Sequence, residues 1–139
     1  MPRIITAGLT AALVCAALLV MAQAQGVSVE SLPPSVIKTV PTCGDTHVDP
    51  KNSEVKVTFS KDMMTDEMWS WIMYTKDTFP EIDAAGIKYL PDNRTCILPV
   101  KLKPDKTYVI WINSQQNNAF RDLQGNPAIP YLLVFRTKS

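Results

Sequence analysis

Glu54-Val55-Lys56-Val57-Thr58-Phe59-Ser60 decides how the fold is read. Val55, Val57 and Phe59 recur at every second position with Lys56, Thr58 and Ser60 between them, the period of a strand with one buried face. Working outward, Thr107 to Asn113 is β-branched and aromatic throughout and reads as a strand, and Tyr131 to Thr137 reads as the closing one. Ile87-Lys88-Tyr89-Leu90 and Thr95 to Leu102 flank Pro91-Asp92-Asn93-Arg94, a hairpin signal. Val36 to Val40 makes a first strand, ended by Pro41. The aromatic-rich Met68 to Tyr74 reads as a strand, with a short helix as the alternative, and the polar Lys61 to Glu67 has room for a helical turn. Cys43-Gly44-Asp45, Asp49-Pro50-Lys51-Asn52 and Asp122-Leu123-Gln124-Gly125-Asn126 read as turns, in which Gly44 and Gly125 are needed wherever φ is positive.

About seven short strands without a long helical pattern imply an all-β fold, an antiparallel sandwich of two sheets. Most of the prolines fall at element ends. Pro99 does not, and it marks its strand as an edge or as bulged at that point.

Ahead of the strands lies a different composition. Met1-Pro2-Arg3 is a short basic start, Ile4 to Met21 is apolar and uncharged, and Ala22-Gln23-Ala24 offers the small side chains that signal peptidase accepts. Residues 1–24 therefore read as a cleavable signal peptide rather than a transmembrane anchor, and Val14 before Cys15 does not suit a lipoprotein signal. Residues 25–35 form a polar lead-in ending in Pro33-Pro34, a stiff tether. Residues 36–139 form the domain, a length that suits one core. This organisation places the protein outside the cytoplasm, secreted or periplasmic, with no membrane span after cleavage. Arg3 is the only charge in the signal segment, so the rest of the chain carries equal numbers of basic and acidic residues. No basic stripe is visible, which argues against nucleic acid as a partner. Cys43 and Cys96 remain after cleavage, a pair that an oxidising compartment permits to bond, although nothing in the pattern sets one opposite the other.

Four motifs, in order, carry a resemblance. Val40-Pro41 is followed by Gly44, Val48 and Pro50; Val55-Lys56-Val57-Thr58-Phe59-Ser60-Lys61-Asp62-Met63 follows; then Leu102-Lys103-Pro104-Asp105-Lys106-Thr107-Tyr108-Val109-Ile110; then Asp122-Leu123-Gln124-Gly125-Asn126. Together they resemble the bacterial Ig-like domain family of S-layer and other surface proteins, with Asp62 standing where that family usually has Pro. The resemblance implies an immunoglobulin-like sandwich and an extracytoplasmic structural or binding module, with a protein or cell-envelope partner that the sequence does not name. Tyr108 opens a strand just after a proline-bearing turn, which suits a tyrosine corner: ring in the core, hydroxyl on nearby backbone. Phe59, on the inward face of the alternating strand, is a further structural residue. An antibody-type disulfide is excluded, because neither Val55–Phe59 nor Thr107–Ile112 contains Cys.

The chemistry of the chain is sparse. Its single histidine, His47, lies in a loop beside Cys43 and Asp45, too crowded into one turn for a nucleophilic triad. There is no phosphate-cradling glycine loop and no nucleophile elbow, and the chain reads as non-catalytic and without a cofactor. Asp62, Asp66 and Glu67, or Asp122 with Asn126, offer oxygens to calcium but not at EF-hand spacing. Met63, Met64, Met68 and Met73, with His47 and Cys43, supply soft ligands, so the alternative function is a small periplasmic copper or ligand carrier. Trp69 and Trp71 share one face if their segment is extended, and form either core or a platform for a sugar ring or a protein.

Overall fold

The structure, a computed structural model, describes Pro2 and residues 26–139, so the export signal read in residues 1–24 lies, Pro2 apart, outside the described residues. Eight strands follow: β1 (Val36–Val40), β2 (Glu54–Phe59), β3 (Trp71–Met73), β4 (Glu81–Ile82), β5 (Lys88–Tyr89), β6 (Thr95–Lys101), β7 (Thr107–Ile112) and β8 (Tyr131–Arg136). One sheet runs β1-β2-β6 with β4 and β5 both on the far edge of β6, and the other runs β3-β7-β8. All pairings within the sheets are antiparallel. This is the strand order of an immunoglobulin-like sandwich.

The period of two in β2 is realised: Val55, Val57 and Phe59 are fully buried, while the residues between them stay half-exposed. Val55 pairs with Leu98 and Val57 with Cys96, and the same inward face meets Tyr108, Ile110, Ile112, Leu133 and Phe135 of the second sheet. Phe120, from the β7–β8 connection, closes one end, with its ring 5.0 Å from that of Phe59 and 5.4 Å from Trp71.

Several local readings change. Pro99 is not at a bulge, since β6 pairs in regular register with β2, and the edge expected there is local: on the outer side β5 pairs only as far as Ile97 and β4 begins at Val100, so Pro99 has no ladder partner on that side. The N–H of Val100 points to Ser53 on the β2 side, and the Pro99 carbonyl accepts from Asp83 on the other. The missing N–H of Pro99 therefore faces the outer neighbour. That neighbour is broken there into β4 and β5 by a 3-10 turn, Ala84–Gly86. Residues 61–67 form bends rather than a helical turn, because Met63 bridges to Asp122 and the Met64 N–H donates to the Arg121 carbonyl at 2.9 Å. The strand read over Met68 to Tyr74 shrinks to Trp71–Met73. β7 stops at Ile112 because Asn113 takes a φ of 59°.

Two connections bind more tightly than their composition implies. In the lead-in read as a tether, Pro34 is buried and its carbonyl accepts from the Ile129 N–H at 3.0 Å. After Pro41 the chain crosses to the other sheet and runs parallel to β8: the Gly44 N–H donates to Val134, Val48 to Arg136, and Val48 bridges Thr137. That run covers the outer edge of β8, which would otherwise present unpaired backbone.

Candidate functional site

The two tryptophans part company. Trp71, in β3, pairs with the buried Ile112 and meets Phe120 edge-on at 83°. Its Nε1 is, among the described residues, the one buried side-chain nitrogen or oxygen without a hydrogen-bond partner. Trp69 precedes the strand and lies instead against Tyr89, ring centres 6.5 Å apart. The Tyr89 hydroxyl donates to the Met68 carbonyl at 2.9 Å, which fixes the ring beside Trp69. Burial, assisted by Cys96, pushes the Tyr89 phenol well above its usual range, so it stays a neutral donor at physiological pH. Trp69, Tyr89, Ile87 and Leu90 wall an open groove of about 480 Å³, with Glu67 and Lys88 on its rim. Both tryptophans are half-buried, so each contributes to the core, and only Trp69 also lines this groove.

Cys43 and Cys96 are both free. β6 turns Cys96 into the core opposite Val57, whereas Cys43 is exposed beside β8 of the other sheet, its thiol 3.5 Å from the Leu132 carbonyl. Burial pushes the Cys96 thiol up to about 12, which keeps it protonated and unreactive.

Met63, Met73 and His47, three of the soft ligands, do not converge. Met63 is buried in the core at the Asp122 bridge, Met73 is exposed at the far end of β3, and His47 is exposed on the run beside the C-terminal end of β8. Asp62 and Asp122 are engaged by protein donors, whereas Asp66 and Glu67 are exposed. Asp62 pairs with Arg94 at 2.8 Å. Asp122 accepts from Lys61 Nζ at 2.6 Å, from the backbone N–H groups of Gln124 and Asn126, and from the Asn126 amide. Among the described residues no group of three or more His, Cys, Asp or Glu is placed to hold a metal ion.

Tyr108 is buried against Phe135, and its hydroxyl accepts from the Lys103 N–H at 2.7 Å; Phe59 is buried against Phe120. Gly44 and Gly125 adopt φ of 88° and 86°. The tight turn at Gly125 returns the chain so that the Asp122 N–H donates to Asn126.

Two polar hubs have no sequence signal beyond their residue type. Lys61, almost enclosed, donates to the carbonyls of Glu30 and Leu32 as well as to Asp122, and so clasps the N-terminal segment onto the β7–β8 connection. Burial opposes the charged form of Asp122, but hydrogen bonds from Lys61 and Asn126 outweigh it and hold the carboxyl below its usual range. Asn113, fully buried, donates to Phe120 and Ala128 and accepts from the Phe120 N–H, bracing the same connection.

The family model described as Bacterial Ig-like domain matches residues 30–137, and the chain belongs to that family. Domains of this kind are generally non-catalytic surface or structural modules. Among curated proteins none matches the chain. Among the described residues no helix is long and apolar enough to cross a membrane.

Proposed function

We propose that the protein is exported and acts, secreted or in the periplasm, as a non-catalytic binding module for a protein or cell-envelope partner. The observation that carries the reading is the groove of Trp69 and Tyr89. Core aromatics such as Phe59 and Phe120 are sealed, whereas Trp69 stands half out of the core at a mouth that bears one acidic and one basic side chain. Large rigid aromatics with a polar rim are the usual anchors of a binding surface, because they bury area at little cost in side-chain entropy. The export reading rests on the segment before residue 25 and on the surface habit of the family.

The test joins location to binding. Intact-mass analysis of the protein from fractionated cells should show an N-terminus at Gln25, and a retained signal segment would remove the export reading. Envelope components captured by the wild type should be lost with Trp69→Ala while its thermal midpoint still shows a folded domain. Equal capture by both forms would discard the groove.

A further inference from the structure

At the other end of β6 from that groove, lysines gather round an apolar floor. Lys101 closes β6, Lys103 and Lys106 lie in the β6–β7 connection, and Lys76 comes from the β3–β4 connection. Met73, Phe79 and Leu102 line the same cavity, of about 340 Å³. Glu81 is, among the described residues, its only carboxylate and pairs only with Lys101, at 3.9 Å with both side chains largely in solvent. Among the described residues Lys76, Lys103 and Lys106 form no ion pair; the Lys106 ammonium instead sits 5.3 Å from the centre of the Tyr108 ring.

A chain whose charges balance overall thus sets four lysines against one carboxylate at one mouth, and Asp77 and Asp105, on the same connections, stand outside its lining. Like charges held together repel, and the potential they create attracts an anion. The floor asks for something more than a bare ion. Met73 is 49% exposed, and its flexible thioether adapts to varied apolar shapes. The lysine stems lay further methylenes along the walls while their heads stay in water. We propose that this cavity binds an amphipathic anion, its phosphate or carboxylate head held by Lys76, Lys103 and Lys106 and its apolar body against Met73, Phe79 and Leu102. Lys76 is separated in sequence from the other two, so the cluster forms only when the two connections fold together. The site is distinct from the Trp69 groove, and either can fail without the other.

Titration of the protein, labelled at its methionine methyl groups, with octyl phosphate, inorganic phosphate and octyl glucoside separates head from tail. Octyl phosphate should shift the Met73 methyl resonance saturably and bind about tenfold tighter than inorganic phosphate, the gain from burying about two methylenes. Octyl glucoside should leave that resonance in place. Lys103→Gln with Lys106→Gln should weaken octyl phosphate about tenfold, and added salt should weaken it as well. Co-sedimentation with phosphatidylglycerol vesicles would assign the anion to a lipid surface, and the shift without sedimentation would assign it to a free amphiphile. Equal affinity for the two phosphates, binding of octyl glucoside as tight as that of octyl phosphate, indifference to the lysine substitutions, or no saturable shift would each overturn the proposal.

Discussion

Lys61 and Lys103 carry the same ammonium at opposite ends of the sandwich, and the fold uses them in opposite ways. Lys61 is 8% exposed, bonded to a fully buried carboxylate and to two backbone carbonyls. Lys103 is exposed, forms no ion pair among the described residues, and stands with other lysines above an apolar cavity. A charge taken out of water must be completely satisfied, because desolvation costs several kcal/mol per ion. A charge left in water costs little and stays available. The first end is therefore committed to holding the N-terminal segment and the β7–β8 connection together, and the second is free for a ligand.

Removing one partner at the committed end breaks that arrangement hardest. Asp122→Ala leaves the Lys61 ammonium enclosed without its carboxylate and strips acceptors from the Gln124 and Asn126 N–H groups, at a cost of about 3–5 kcal/mol in urea unfolding. A loss under about 1 kcal/mol would mean that the clasp is solvated. Tyr108→Phe comes next, at about 1–3 kcal/mol, because the buried ring survives but the Lys103 N–H loses its acceptor. An unchanged denaturation midpoint would show that water replaces the hydroxyl.

Sequence legibility follows the same division. β2 can be read because alternation is a local signal, and the hairpin because Asp92, through its bonds to the Arg94 and Thr95 N–H groups, shapes a turn within four residues. The split of β4 from β5 falls beside Pro99, ten or more residues further on, and the run from Gly44 to Val48 lies against β8 at the far end of the chain. Neither leaves a periodic trace. Trp69 and Trp71 illustrate the limit for the candidate site: an extended segment would put both on one face, but the strand begins only at Trp71, which frees Trp69 to turn toward Tyr89. The clasp and the lysine cavity are juxtapositions of distant residues and stay invisible until the sheets are built.

Acid separates the two ends further. Asp122 is held below its usual carboxylate range when folded, so it adds stability that is complete above about pH 4 and vanishes as the pH falls through the folded value. The stability gap between wild type and Asp122→Asn should accordingly be constant near neutrality and shrink below about pH 4. A gap that persists unchanged into strong acid would show that the loss in Asp122→Asn comes from turn geometry rather than from the charge.

The smallest effect belongs to the free end. Lys103→Gln removes one exposed ammonium and no ion pair, and its backbone N–H, the group that serves Tyr108, is unaffected by the change of side chain. Such a substitution should move the unfolding free energy by no more than about 0.5 kcal/mol. The sign is informative. Relief of repulsion from Lys76, Lys101 and Lys106 favours the folded state of the variant, so low salt should show a slight gain that fades as ionic strength rises and the charges are screened. Lys61→Gln, measured alongside, should lose stability at every salt concentration, because its partner is enclosed where salt does not reach. If Lys103→Gln instead destabilises the protein as much as Lys61→Gln does, the lysines over the cavity are structural, and the contrast between the two ends collapses.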